Sequence, residues 1–282
     1  MKAFQYHAPG SLEEACQLLV QYGDKGRPLA GGTDLLVKMK QKVLEPDHLI
    51  SLREIGGLKY VSNEAGVIRI GALTELQQIA DSDVIREKLP ILAEAASQVG
   101  SVQIRNRGTL GGNICNASPA ADTVPPLICL GARVVIKSVK GDRETPVESF
   151  FVAPGKVDLC EGEIVRELII PIPGAHAKGV YLKLGRRKAM DISIVGAGAL
   201  GSYRNRRFET VRLALASVAP TPIRAKKTEE ILRDGVVDAQ RISLAAREAA
   251  SECQPISDVR GSASYRREMV KVLVEKAIRN MM

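Results

Sequence analysis

The feature that most constrains this chain is a run of small residues at 107–122, Arg-Gly-Thr-Leu-Gly-Gly-Asn-Ile-Cys-Asn-Ala-Ser-Pro-Ala-Ala-Asp. Glycine lacks a Cβ and adopts positive φ, so consecutive backbone N–H groups can point into one concavity and bind an anion. A shorter run of the same kind, Leu-Ala-Gly-Gly-Thr-Asp-Leu-Leu, lies at residues 29–36. We call residues 29–36 the first glycine stretch and residues 107–122 the second. Together they predict one diphosphate held from two sides; the alternative is two tight turns without a ligand.

Composition limits the classes of function that remain open. The chain has 282 residues, 45% of them hydrophobic and 26% charged, which is typical of a globular protein with one large domain or two ordinary ones. Aromatic residues make up 4%, with no tryptophan, so few side chains could stack on single-stranded bases. The amino terminus has no apolar signal segment, and no run reaches the roughly 18 apolar residues of a membrane span. The sequence therefore predicts a cytoplasmic protein without a membrane span.

Cysteine and histidine residues are too dispersed to predict a metal site. Five cysteines occur singly, with no Cys-x-x-Cys pair, and their odd number argues against a disulfide framework. The three histidines, His7, His48 and His176, are far apart in the sequence. Because no zinc or iron–sulfur ligand set can be drawn from these residues, we expect any metal chemistry to belong to another chain.

The net charge of +8 is unevenly distributed. Residues 175–282 carry 21 Lys and Arg against 11 Asp and Glu, a balance of +10, whereas residues 1–174 carry 19 against 21, a balance of −2. The basic residues are interspersed with acidic and apolar ones, which favours a solvated surface or a protein interface over nucleic acid. Nucleic-acid binding is the weaker alternative, and it would be sensitive to salt.

The segments around the first glycine stretch have clear secondary-structure signals. Ser11 and Glu14 form a capping box at the start of a helix that Gly23 ends. The next segments are predicted as a strand at 27–30, a helix at 33–42 and a strand at 48–52. The first glycine stretch thus lies at a helix N-terminus, where the dipole favours an anion. No Gly-Lys-Ser/Thr follows it, so hydrolysis of a nucleoside triphosphate is not predicted.

The rest of the chain reads as an α+β sequence. Before residue 171 the pattern predicts a hairpin at 59–70, a helix at 74–80 capped by Thr74, a helix at 90–99 and strands at 132–139 and 163–170. A proline–glycine segment at 171–174 is the predicted domain boundary. Beyond it, strands are predicted at 179–184, 192–200 and 210–217 and helices at 226–233, 238–252 and 262–279. Strands followed by helices favour a three-stranded antiparallel sheet with helices on one face.

Residues 196–201, Gly-Ala-Gly-Ala-Leu-Gly, match the G-x-G-x-x-G fingerprint of dinucleotide sites. That fingerprint requires a helix that opens within it and an acidic residue about twenty positions later. Here a polar turn at Asn205 follows, and then another strand-like run. A β-hairpin is therefore the favoured interpretation, and a Rossmann site is the weaker alternative.

Residues 29–36, residues 109–122 and the sequence Arg-Lys-Ala-Met-Asp-Ile-Ser at 187–193 together resemble the FAD-binding medium subunit of molybdenum hydroxylases. This family includes the xanthine dehydrogenase and aerobic carbon monoxide dehydrogenase types, and the resemblance covers nearly the whole chain. It implies a two-lobed FAD-binding domain of the vanillyl-alcohol-oxidase-like (PCMH) type at residues 1–174, with lobes at about 1–55 and 56–174. A small α+β domain would follow at residues 175–282.

The resemblance also implies a cofactor site. The two glycine stretches would offer N–H groups and hydroxyls to the FAD diphosphate from opposite sides. Asp122 would accept a hydrogen bond from a sugar or ribityl hydroxyl, unless it caps a helix before Pro125. Apolar side chains and one lysine would lie near the flavin, with ordinary packing or a surface position as the alternative. The complete predicted set is Leu29, Ala30, Gly31, Gly32, Thr33, Asp34, Leu35, Val99, Thr109, Leu110, Gly111, Gly112, Asn113, Asp122, Ile164, Val165 and Lys183.

The function that the resemblance implies is electron transfer, with no catalytic acid or base and no metal ligand on this chain. A large partner subunit would carry the molybdopterin cofactor and a small partner subunit the 2Fe–2S clusters, and electrons would pass through FAD to NAD+ or another acceptor. The assembly would be a hetero-oligomer, a dimer of three-chain units. The alternative is a self-sufficient FAD-dependent oxidase or dehydrogenase of the same fold, which would require a larger substrate domain and its own catalytic cluster.

Overall fold

The first sheet of the molecule is parallel. The structure is a computed structural model that describes residues 1–187 and 189–282. Lys188, part of the motif at 187–193, lies outside the described residues. The first elements are β1 (Gln5–His7), α1 (Leu12–Tyr22), β2 (Gly26–Leu29), α2 (Leu35–Lys40) and β3 (His48–Ser51). The strand order is β1-β3-β2 with both pairings parallel, so the chain leaves β2 through the first glycine stretch and returns through α2.

The predicted capping box forms at the start of α1. The Ser11 hydroxyl accepts a hydrogen bond from the Glu14 N–H, and the Glu14 carboxylate accepts one from the Gly10 N–H. At the other end, Gly23 has φ +47 and its N–H donates to the Leu19 carbonyl. Both ends of this helix were therefore predicted correctly, the first from a side-chain cap and the second from a glycine that ends the helix.

A five-stranded antiparallel sheet, in the order β4-β5-β10-β6-β7, forms the next unit. Helices between β5 and β6 cover it and build one large buried apolar cluster. The elements are β4 (Val61–Glu64), β5 (Val67–Gly71), α3 (Leu76–Asp81), α4 (Asp83–Lys88), α5 (Pro90–Ser97), α6 (Val102–Arg105), α7 (Leu110–Cys115), α8 (Val124–Leu130), β6 (Arg133–Ser138), β7 (Gly141–Pro146), α9 (Val147–Phe150), β8 (Phe151–Ala153), β9 (Lys156–Val157) and β10 (Ile164–Pro171).

The prediction that Thr74 caps a helix is wrong. The helix α3 begins at Leu76, and its N-cap residue, Glu75, makes no side-chain capping bond. The buried hydroxyl of Thr74 instead donates to the Tyr60 carbonyl at 2.9 Å and accepts from the Tyr60 N–H at 3.1 Å. The Thr74 hydroxyl therefore bonds the backbone of Tyr60, fourteen residues earlier in the chain, and not the start of the helix as the local sequence pattern predicted.

The third unit is an antiparallel sheet whose strands run in the order β11-β12-β13-β14, with three helices packed on one face. The helices α5 and α8 of the preceding unit contact the sheet too. Its elements are β11 (Ala177–Leu184), β12 (Val195–Arg204), β13 (Arg207–Ala216), β14 (Ile223–Arg224), α10 (Lys226–Arg233), α11 (Ala239–Ser251) and α12 (Ala263–Met281). The prediction of three strands missed β14, because its two residues are too few to show a period.

The hairpin interpretation of residues 196–201 is confirmed. These residues lie inside β12, which pairs with β13 from Gly196 to Arg204. Asn205 and Arg206 form the turn with φ of +49 and +61, the left-handed conformation that a two-residue hairpin turn requires. Gly198 allows β12 to touch α8, since a Cβ there would lie 3.0 Å from the Pro125 carbonyl carbon. The glycines of the apparent fingerprint therefore serve close packing.

The last helix is anchored by a buried arginine. Arg266 of α12 is 2% exposed, and its guanidinium donates to the Ile194 carbonyl at 2.6 Å and to the Ser217 carbonyl at 3.0 Å. It also pairs with the Asp258 carboxylate at 2.8 Å. This one side chain joins α12 to the strand ends of the third sheet.

No helix within residues 1–187 or 189–282 combines the length and the apolar character that crossing a lipid bilayer requires.

Candidate functional site

A cavity of about 350 Å³ lies between the two glycine stretches. Its walls come from the first glycine stretch and α2, from the segment after β5, from residues 99–116 and from the start of β10. The structure brings nearly all of the sequence-predicted site residues to this cavity. Those that do not line it are Leu29, Leu110, Asp122 and Lys183.

The two glycine stretches touch each other at Gly31. A Cβ on this residue would lie 2.0 Å from the Arg107 carbonyl oxygen and 3.0 Å from the Gly108 Cα, so only glycine fits. The next residue, Gly32, has φ +80, a conformation that side chains rarely adopt. These two positions explain why the first stretch needs consecutive glycines.

The first glycine stretch presents free hydrogen-bond donors. None of the hydrogen bonds found among residues 1–187 and 189–282 is donated by the N–H group of Gly31, Gly32, Thr33 or Asp34. All four residues line the cavity. Successive backbone donors in such a turn bind an anion, because each buried negative oxygen requires several hydrogen bonds. The arrangement fits a phosphate-containing ligand.

The second glycine stretch offers fewer free backbone N–H groups than the sequence predicted. Residues Leu110–Cys115 form the short helix α7, and the Thr109 hydroxyl caps it by accepting from the Gly112 N–H at 3.1 Å. The Gly111 N–H donates to the Ala72 carbonyl, and the Asn113 N–H to the Thr109 carbonyl. Acceptors within the protein therefore hold the N–H groups of Gly111, Gly112 and Asn113, and, contrary to the expectation, these three are not free for a diphosphate. The Thr109 N–H donates none of the hydrogen bonds found in the part of the chain that the structure describes.

Asn113 remains a donor on this side of the cavity. Its side-chain oxygen accepts a hydrogen bond from the Thr123 hydroxyl at 2.6 Å, which fixes the orientation of the amide. The residue lines the cavity, so the amide nitrogen is a donor that this stretch can offer to a bound anion.

A polar bridge that sequence reasoning missed joins the two stretches. The Lys38 ammonium donates to the Asn116 amide oxygen at 2.7 Å, and the Asn116 amide nitrogen donates to the Asp34 carboxylate at 3.0 Å. Lys38 and Asn116 both line the cavity. Spacing could have found Lys38, since it follows Asp34 by four residues and so lies on the same face of α2.

The remaining walls are largely apolar. Val99, Ile164 and Val165 line the cavity together with residues after β5, and their contact with a flavin stays a prediction. Cys115 also lines it, and burial raises the pKa of its thiol to about 12, so the thiol is protonated at neutral pH. Among the described residues, no group of three or more His, Cys, Asp or Glu side chains is placed to hold a metal ion.

Asp122 and Lys183 form a buried ion pair outside the cavity lining. The Lys183 ammonium lies 2.7 Å from one carboxylate oxygen, and the Tyr181 hydroxyl donates to the other at 2.7 Å. Lys183 also donates to the carbonyl of Gln98, the neighbour of Val99 in the cavity wall. Burial raises the pKa of the Asp122 carboxyl, and Lys183 and Tyr181 oppose that rise.

The carboxylate of Asp122 does not cap α8, which begins at Val124 with Thr123 as its N-cap residue. Its hydrogen bonds go to the third sheet instead, since Tyr181 and Lys183 both lie on β11. The contacts of Asp122 and Lys183 with a cofactor stay predictions.

Two family models match the chain. A model described as the FAD binding domain in molybdopterin dehydrogenase matches residues 2–173. A model described as the CO dehydrogenase flavoprotein C-terminal domain matches residues 180–281. The first match includes every residue that lines the cavity.

Curated proteins and solved structures that resemble this chain come from dehydrogenases as well. The glyceraldehyde dehydrogenase medium chain of Sulfolobus acidocaldarius is 34% identical over 278 residues, which is 99% of this chain and 98% of that one. The carbon monoxide dehydrogenase medium chain of Hydrogenophaga pseudoflava is 34% identical over 275 residues, 98% of this chain and 96% of that one. A structure of carbon monoxide dehydrogenase from H. pseudoflava that lacks the Mo-pyranopterin moiety superposes with a TM-score of 0.96, at 34% identity, over 98% of this chain and 96% of its own.

Proposed function

Because this chain belongs to the family of FAD-binding subunits of molybdopterin dehydrogenases, we propose that it is the electron-transfer subunit of a multi-subunit molybdenum hydroxylase. FAD would lie in the cavity between the glycine stretches. The observation that carries this assignment is the row of N–H groups at Gly31, Gly32, Thr33 and Asp34 on the cavity wall, which have no acceptor within residues 1–187 and 189–282. A diphosphate supplies the acceptors that these donors lack.

The roles of the site residues follow from their positions. The first glycine stretch and the Asn113 amide would bind the diphosphate, and the Lys38 ammonium would add a positive charge beside it. Val99, Ile164 and Val165 offer the apolar wall that an isoalloxazine or adenine ring requires. When bound, FAD supplies the capacity to exchange one or two electrons. The protein contributes binding, orientation and exclusion of water.

The proposal extends to the partners. A large subunit would carry the molybdenum cofactor and oxidise the substrate, and a small subunit with 2Fe–2S clusters would exchange electrons with this chain, which would pass them to NAD+ or another acceptor. Relatives named for different substrates, glyceraldehyde and carbon monoxide, are equally similar to this chain. This supports a shared electron-transfer role and a substrate site on another subunit.

Four further points stay predictions: the division into residues 1–174 and 175–282, the lobes at about 1–55 and 56–174, the cytoplasmic location and the dimer of three-chain units.

Absorption spectroscopy of the full-length chain, purified with the proteins that accompany it, tests the proposal. We expect paired flavin bands that bleach on addition of dithionite, release of free FAD by acid, and further iron–sulfur absorbance in the complex. Mixing the reduced complex with NAD+ should restore the flavin bands if NAD+ is the acceptor.

A chain that stays colourless with added FAD, alone or with its partners, would contradict the assignment. A chain that oxidises a small-molecule substrate without partners, with reduction of its own flavin, would favour the self-sufficient enzyme.

A further inference from the structure

Arg53 forms hydrogen bonds with the first glycine stretch from outside the cavity. It lies two residues after the end of β3, and its side chain reaches across to the segment that follows β2. The guanidinium Nε donates to the Ala30 carbonyl at 2.9 Å, and Nη2 donates to the Gly31 carbonyl at 3.1 Å. Within the described chain Arg53 has no carboxylate at salt-bridge distance, and it does not line the cavity.

These two hydrogen bonds set the direction of two peptide units. In a trans peptide the C=O of one residue points opposite to the N–H of the next. Holding the Ala30 carbonyl toward Arg53 therefore turns the Gly31 N–H away from it, and holding the Gly31 carbonyl does the same for the Gly32 N–H. Gly31 and Gly32 line the cavity and Arg53 does not, so this orientation of the peptide units would turn the two N–H groups toward the cavity.

The glycine stretch requires such a restraint. Glycine has nearly equal access to positive and negative φ, so a Gly-Gly peptide unit can rotate and present its carbonyl where its N–H should be. A carbonyl oxygen facing a diphosphate would repel it. The planar guanidinium binds two acceptors in a fixed geometry, which a lysine ammonium cannot do. Its charge also polarises both peptide units and strengthens their N–H groups as donors.

We propose that Arg53 is a positioning residue of the diphosphate site, which acts from outside the cavity by fixing the peptide units that carry the N–H groups of Gly31 and Gly32. The inference rests on the proposed cofactor site. It assigns to Arg53 a part in cofactor binding without contact with the cofactor.

The test measures the affinity of the full-length chain, freed of FAD, for FAD and for ADP, which carries the diphosphate without the flavin. Arg53→Gln removes both the charge and the planar guanidinium with its two donors, whereas Arg53→Lys keeps only the charge. As a control, Arg247→Gln removes the charge of an exposed arginine on α11. We expect Arg53→Gln to weaken both ligands by about 10- to 100-fold, since one or two charge-assisted hydrogen bonds no longer hold the donors. Arg53→Lys should recover little of this loss, and the control should stay within about twofold.

Thermal unfolding without ligand separates positioning from folding. Arg53 is exposed, so we expect the melting temperature of both variants to stay close to that of the unchanged chain. If Arg53→Gln fails to fold, Arg53→Lys, which keeps the aliphatic stem and the charge, gives the decisive affinity.

Each other outcome has a definite meaning. An unchanged chain that binds neither FAD nor ADP, whether alone or in the presence of its partner subunits, would refute the proposed cofactor site itself. If the unchanged chain binds both and Arg53→Gln binds them equally well, the site stands and the role of Arg53 is refuted. Full recovery in Arg53→Lys would show that charge alone matters, which also overturns positioning.

Discussion

The α-carbon of Gly31 lies against the Arg107 carbonyl so closely that a Cβ would be 2.0 Å from the oxygen. At this scale the sequence was informative, because paired glycines beside Thr33 and Asp34 pointed to a turn that approaches another group. It did not reveal that the second stretch uses its N–H groups internally. The acceptor for the Gly111 N–H is the Ala72 carbonyl, and no local pattern connects those two residues.

Gly31→Ala should separate the two glycine stretches and abolish FAD binding. The added methyl group can fit only if the backbone of Arg107 moves, which typically costs about 1–3 kcal/mol of stability. The measurement is the FAD content of the purified chain together with its thermal unfolding. Gly56→Ala is the matched control, because a Cβ at Gly56 would meet nothing within 4 Å. Stoichiometric FAD in Gly31→Ala would show that the contact is dispensable.

Among the elements, the long amphipathic helices were predicted best. The helix α10 matches its predicted bounds, and α11 and α12 differ by one or two residues at each end, since their apolar residues recur at helical spacing. The short strands β7 and β14 were missed, because pairing with a neighbouring strand defines them and their own residues give no clear period. The buried attachment of α12 through Arg266 was also beyond sequence reasoning.

The attachment of α12 should depend on pH through Asp258. A hydrogen bond from Arg260, aided by Arg266, holds the pKa of the Asp258 carboxyl well below its ordinary value of 3.8. A lowered pKa in the folded state stabilises the protein at pH values above 3.8, and that contribution is lost as the pH falls through the folded-state pKa. We expect Asp258→Asn to lower the melting temperature at pH 7 and pH 5, and the difference from the unchanged chain to shrink at pH 3 and below.

Asp234→Asn serves as the control for this series, because the Asp234 side chain is 91% exposed and its nearest cation is 3.7 Å away. It should change the melting temperature little at any pH. A destabilisation by Asp258→Asn that stayed constant down to pH 2 would mean that the carboxylate charge is not what holds α12.

At the scale of the whole molecule, the resemblance predicted the kinds of domain, but not how the third sheet meets the preceding unit. Asp122 pairs with Tyr181 and Lys183, which are 59 and 61 residues away in sequence. The sequence analysis assigned Asp122 and Lys183 separately to the cofactor site and gave no sign that they pair with each other. Only the folded chain shows that a buried ion pair joins the two parts beside the cavity wall.

Replacing one partner of the Asp122–Lys183 ion pair should lower the unfolding free energy more than replacing both partners. Among the described residues, Lys183→Met leaves the buried Asp122 carboxylate with Tyr181 as its one side-chain partner, and the expected loss is about 3–5 kcal/mol of unfolding free energy. The double variant Lys183→Met/Asp122→Asn should recover part of this loss, since no buried charge is left without its partner. Urea unfolding of the chain without FAD measures both. If the loss in the double variant equals the sum of the losses in Lys183→Met and in Asp122→Asn, the two residues act independently.

The close contact between Gly198 of β12 and Pro125 of α8 has a consequence for the way the third sheet can move. The backbone of β12 lies so close to the first turn of α8 that a Cβ at Gly198 would be 3.0 Å from the Pro125 carbonyl carbon, so we expect little freedom for the sheet to slide along that helix. The residue at the head of α8, Thr123, donates its hydroxyl to Asn113 on the cavity wall. We therefore expect a displacement of the third sheet to shift the start of α8 and, through the Thr123–Asn113 hydrogen bond, the position of Asn113 at the cavity.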